Sequence, residues 1–156
     1  MRVDFYQLGA AQPDNVIASI AGKLLDDGQR LLVVAAEEGL LSRLDRQLWE
    51  QGAASFLPHG QAGGSDDAAQ PILLSTGTDA PNRARNILIA DGEWREAALA
   101  YDRAFYLFDE GTLEGARLAW KLLAGREGVE RNYWALEDGC WTKKGCPARG
   151  AANPNP

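Results

Sequence analysis

The chain is poor in the residues that build metal and nucleophile chemistry: its 156 residues include one histidine, two cysteines and one methionine. His59 with Cys140 and Cys146 is too small a set for a structural zinc site. The cysteines are not spaced C-x-x-C, which leaves them without a redox motif and suits a reducing compartment with free thiols. No run of apolar residues approaches the roughly 18 of a membrane span. The opening MRVDFYQLG places acidic and polar residues where a secretory signal needs an apolar stretch. A cytoplasmic location is therefore expected. An excess of basic charge is missing as well: 16 Lys and Arg stand against 22 Asp and Glu, a net charge of -6. That balance argues against a protein whose main task is to hold DNA through its phosphates.

The charge is unevenly spread. Residues 1–110 carry 9 Lys/Arg and 17 Asp/Glu, whereas residues 111–150 carry 7 and 5, so an acidic partner is directed to the C-terminal third. A hydrophobic content of 46% suits one compact domain, expected over residues 1–144, with GCPARGAANPNP at 145–156 as a disordered tail. Val3 to Leu8 alternates as a strand, and Val16, Ile17, Ile20 and Leu24 recur at helical spacing up to Gly28. The apolar run from Leu31 to Ala36 reads as a buried strand, and Leu41, Leu44 and Leu48 form one stripe of a helix over 38–51. Residues 60–70, rich in Gly, Asp and Ala, read as a loop.

Three further strands are expected at 71–76, 86–90 and 104–108, with a helical segment around 93–100. Thr112 is placed to cap a helix over 113–124, and Tyr133–Leu136 with Cys140–Thr142 reads as a hairpin turning at Asp138-Gly139. Alternating strands and helices imply an α/β fold: a three-layer, Rossmann-like sandwich with a largely parallel central sheet and an antiparallel C-terminal piece.

Catalytic signatures are sparse. The turn after the first strand, Gly9-Ala-Ala-Gln-Pro13, is neither G-x-G-x-x-G nor a phosphate-binding P-loop. His59 has no nucleophile motif around it and reads as a loop histidine bonded to the backbone. The acid pairs Asp26-Asp27, Glu37-Glu38 and Asp66-Asp67 fall at helix ends or in the Gly-rich loop, where solvated surface explains them better than a metal. No catalytic residue, cofactor or metal is expected.

Specificity enters with Arg43-Leu-Asp-Arg-Gln-Leu-Trp49 followed by Ser55-Phe-Leu-Pro-His59. Together with Phe5-Tyr6, Gly28-Gln-Arg-Leu, Asn86-Ile-Leu-Ile89, Ala116-Arg-Leu-Ala-Trp-Lys121, Tyr133-Trp134 and Gly139-Cys-Trp141, this segment resembles the chi subunit family of bacterial DNA polymerase III. The likeness runs from residue 1 to about 144 and stops before the tail. It implies a non-catalytic connector that pairs with the psi subunit of the clamp loader and grips the acidic C-terminal tail of single-stranded DNA-binding protein. DNA would then be contacted mainly indirectly. Two other classes are compatible with the residues alone: a small α/β enzyme with an unrecognised nucleotide or cofactor site, and a direct binder of single-stranded nucleic acid.

Two surfaces are expected to carry the contacts. At about 100° per residue, Trp49 stands well off the leucine stripe of its helix, so with Phe56 it forms an aromatic patch unless Phe56 folds back over it. The resemblance assigns this patch to psi and the clamp loader. On the later helix Arg117 and Lys121 are four apart, with Trp120 beside them. They are either a solvated edge paired with Glu114 or, as the resemblance implies, the receptor for the acidic tail, helped by Arg126 and with Trp120 as the apolar wall.

Overall fold

The structure is a computed structural model that describes residues 1–9, 13–50, 58–137 and 140–144. It divides into two compact units, Gln12–Leu88 and a second formed by Met1–Ala11 with Ile89–Pro156.

In the first unit, helix α1 (Pro13–Asp26) opens on a proline, whose fixed φ and missing N–H suit the first helical position. It ends where Gly28 adopts φ +73°. The Gln29 N–H then donates to the Leu24 carbonyl at 2.8 Å and the Gly28 N–H to that of Leu25 at 2.9 Å, the paired bonds of a glycine C-cap. Strand β2 (Leu31–Val34) is buried along its whole length, as its unbroken apolar run requires. Helix α2 (Glu38–Trp49) buries Leu41, Leu44 and Leu48.

The stretch expected to be a loop begins as a strand. β3 (His59–Gln61) runs parallel to β4 (Ile72–Ser75), pairing His59 with Ile72. At three residues it is too short for alternation to show in sequence. With β5 (Asn86–Ile89), the strand order is β3-β4-β2-β5. Buried Asn82 braces the strand starts, donating through Nδ2 to the carbonyls of Leu31 and Gln70.

The second unit is built on β1 (Arg2–Gln7), flanked in parallel by β6 (Arg103–Phe108) and β7 (Glu130–Glu137). Strand β8 (Cys140–Lys144) pairs antiparallel with β7; the turn expected at 138–139 and the tail lie outside the described residues. Because side chains alternate across a strand, Phe5 points to one sheet face and Asp4 and Tyr6 to the other. Phe5 packs at 5.1 Å on Tyr106 and edge-on at 5.2 Å to Trp120 of helix α3 (Leu113–Ala124). Thr112 is the N-cap residue of α3 as expected, but its side chain makes no capping bond to that helix. It is used in the 3-10 turn Glu110–Thr112 that leads in, where the Asp109 carboxylate accepts the Thr112 N–H and the Asp109 N–H donates to Thr112 Oγ1. The segment around 93–100 is a 3-10 turn over Glu96–Ala100.

Candidate partner-binding surfaces

The first surface forms at the C-terminal end of α2. Trp49 is the last helical residue and remains 53% exposed, while Leu48, one position earlier, is buried in the core. That split follows from the 100° step between neighbours. The indole is nevertheless supported from beneath. The ring of His59 lies 4.3 Å from it, centroid to centroid, at an interplanar angle of 37°. His59 is itself buried, with Nε2 3.0 Å from the main-chain oxygen of Asp45 and 3.2 Å from its carboxylate. The expectation that His59 bonds backbone is met, but it does so from a strand and beneath an aromatic. Phe56, the other expected member of the patch, lies outside the described residues.

The second surface is the outer face of α3. Ala116, Ala119, Trp120 and Leu123 face inward, leaving Arg117, Leu118, Lys121 and Leu122 outside. Leu118 and Leu122 are exposed to 67% and 49%, unusual for leucines one helical turn apart. Trp120 does not stand beside the basic pair as an open wall. It is buried against Phe5 and Tyr133, and Arg131 covers it, with its guanidinium 4.2 Å from the ring and an N–H donated to the Trp120 carbonyl at 2.8 Å. The physical reason is angular: Trp120 is about 40° from Ala116 and stays in the inner stripe.

The cations of this face differ in their commitments. Arg117 makes a long, 3.5 Å contact with Glu114, whereas Arg126 is held at 2.9 Å by Glu96. The Arg117 charge reaches Tyr133: burial pushes that phenol up and the guanidinium partly opposes the shift. The Tyr133 hydroxyl donates to Gln7 at the end of β1. Sequence reasoning missed Leu118 and Leu122 as surface and Asp45 as the anchor of His59. The one available signal for the latter was the four-residue spacing of Asp45 and Trp49, which puts both on one helix face.

Among the described residues no three His, Cys, Asp or Glu side chains gather as a metal site. No helix among them is long and apolar enough to cross a membrane. The family model described as DNA polymerase III chi subunit, HolC, matches residues 1–130. The chain belongs to the DNA polymerase III chi subunit family. Two curated proteins similar to it carry the name DNA polymerase III subunit chi. The one from Pseudomonas aeruginosa is 34% identical over 91 residues, covering 56% of this chain and 62% of that protein. The one from Escherichia coli is 29% identical over 82 residues, covering 53% and 56%. The chain thus spans less than two thirds of either relative. Among solved structures, the C-terminal domain of Saccharomyces cerevisiae Dbp5 superposes with a TM-score of 0.57 at 11% identity, covering 84% of this chi-family chain and 88% of that one. At that identity the likeness speaks only for the α/β fold.

Proposed function

We propose that this chain is a non-catalytic accessory subunit in bacterial DNA replication. It joins the clamp loader, through psi or its local equivalent, to the acidic C-terminal tail of single-stranded DNA-binding protein. Family membership supports the accessory role, and the names of the two relatives place them as subunits of DNA polymerase III. Trp49 with Phe56 forms the clamp-loader contact in this reading, in keeping with an indole half exposed at a helix end.

The observation that carries the tail site is the outer face of α3, where cationic Arg117 and Lys121 alternate with exposed Leu118 and Leu122. An acidic peptide ending in an apolar residue and a free carboxylate needs those two chemistries side by side: a guanidinium fork for the carboxylate and an apolar surface for the last side chain. The leucines take the wall role that Trp120, being buried, does not fill. Arg126 contributes from its pair with Glu96. The site is exposed and charge-driven, so micromolar affinity is expected, about -8 kcal/mol, weakening as salt rises.

Titration of a labelled tail peptide against the wild type and Arg117→Ala, at low and moderate salt, tests this. Arg117→Ala weakens binding at least about tenfold, roughly 1.4 kcal/mol. Equal affinity for the two proteins places the tail elsewhere, and binding to neither removes single-stranded DNA-binding protein as a partner.

A further inference from the structure

Trp49 is more than half exposed, whereas the ring beneath it, that of His59, has a side chain with no exposure. The two rings lie 4.3 Å apart. The buried ring is fixed at its edge, because Nε2 stands within 3.0 Å of the Asp45 carbonyl oxygen and 3.2 Å of the Asp45 carboxylate. Asp45 and Trp49 are four residues apart in α2 and therefore share one helix face. His59 is thus tied to the same face of α2 whose last side chain rests on it. Its backbone belongs to β3, which pairs with β4, so the ring is held from the sheet side as well. An aliphatic residue would fill the same space without a polar nitrogen needing a partner. Histidine supplies two things together: a flat face for the indole and an N–H for the helix.

We propose that His59 is a positioning residue for partner binding, its bond to Asp45 fixing a platform that holds the Trp49 indole outward in the orientation the clamp-loader partner receives. The role rests on the reading of Trp49 as that contact. A surface tryptophan without such a support samples several rotamers and loses that freedom on binding, and a pre-set ring avoids the loss. An improvement of about three- to tenfold in affinity is the scale expected from ordering one large side chain in advance.

Two substitutions separate the parts. His59→Gln keeps an N–H for the Asp45 carbonyl and removes the ring; His59→Phe keeps a ring and gives up the bond. Fluorine NMR of protein labelled with 5-fluorotryptophan resolves the five tryptophans, with the Trp49 signal assigned by its disappearance in Trp49→Phe. Both His59 variants move the Trp49 signal toward a solvent-averaged position and leave the others in place, which also shows that the fold is intact. Binding is then measured to the clamp-loader assembly of the same cell, purified free of this chain. Each His59 variant weakens it about three- to tenfold, and the same changes made in a Trp49→Ala background alter it less than about twofold. A merely structural histidine lowers affinity equally in both backgrounds, and that result overturns the proposal, as does a Trp49 signal unmoved in both variants. If Trp49→Ala weakens binding while the His59 variants bind as wild type, the positioning role alone is lost. If Trp49→Ala itself binds as wild type, the interface reading fails and the positioning role falls with it.

Discussion

Asp4 is a carboxylate fully buried in the middle of a strand, and three donors converge on it. Arg103 donates at 2.8 Å, Arg2 at 3.2 Å and the Trp134 indole N–H at 3.1 Å. The arginine side chains keep 40% and 31% of their surface exposed, so they regain water when Asp4 is removed, and the loss is smaller than for a fully buried pair. Asp4→Ala should cost about 2–3 kcal/mol, read as a lower urea midpoint at unchanged slope, and a cost below about 0.5 kcal/mol would show the cluster to be idle. Tyrosines set the alkaline limit. Burial, reinforced by Asp91 and Glu93, pushes the Tyr106 phenol up to about 12, and burial also raises Tyr6 and Tyr133. The unfolded phenol titrates near 10, so the unfolded chain releases its proton first. This contribution to stability is complete below about pH 10 and is lost as pH climbs toward 12. Tyr106→Phe forfeits the hydroxyl bond to the Gly92 carbonyl, lowering stability at neutral pH, yet its decline between about pH 10 and 12 should be shallower than that of the wild type. Parallel declines in urea titrations across that range would exclude Tyr106 as the titrating group.

On α3 the division between core and surface runs against side-chain size. Two alanines are buried and two leucines are exposed, and the bulk of the inner face is supplied by Trp120, packed against Phe5 of β1 and Tyr133 of β7. Trp120→Ala should therefore cost about 3–5 kcal/mol, as large cavities do, whereas Arg117→Ala and Leu118→Ala should each change stability by no more than about 0.5 kcal/mol. Urea unfolding of the three variants distinguishes this arrangement from one with Trp120 on the surface, in which Trp120→Ala would be as mild as the others. The same helix shows where sequence becomes illegible. In α2, polar residues separate Leu41, Leu44 and Leu48, so periodicity alone identifies the inner stripe and frees Trp49 from it. In Leu113–Ala124 the charges of Glu114, Arg117 and Lys121 mark the outer side, but Trp120 on one flank and Leu118 with Leu122 on the other stand at similar angles from it, and periodicity cannot choose which flank is buried. Only the aromatic layer of Phe5, Tyr106 and Tyr133 makes the choice, and it comes from strands distant in the chain. The His59 platform was hidden for a related reason: a strand of three residues does not announce which way its first side chain points.

For the whole molecule the decisive quantity is how many cations remain for a polyanion. The net charge is -6, and of the 16 Lys and Arg five arginines are held by partners within the fold. Arg2 and Arg103 converge on Asp4, and Arg95 is bidentate to Asp91. Arg30 donates to the carbonyls of Ala68 and Asn82, and Arg131 covers Trp120. Bare nucleic acid is bound tightly when many protein cations together neutralise its phosphates and release the condensed counterions to solution, which a net charge of -6 opposes, whereas a short acidic tail needs only two or three cations. The chain should therefore bind an uncoated single-stranded oligonucleotide with a Kd weaker than about 10⁻⁴ M near physiological salt. It should nevertheless be captured by the same oligonucleotide once single-stranded DNA-binding protein coats it. Fluorescence anisotropy of the labelled strand, bare and coated, measures both. Excess free tail peptide should release the chain from the coated strand without disturbing the coat, because peptide and coat compete for the outer face of α3. Arg117→Ala should fail to be captured at concentrations that saturate the wild type. Micromolar, strongly salt-dependent binding to the bare strand would sink this account and make the chain a direct single-strand binder, and capture that free peptide leaves unchanged would move its attachment away from the tail.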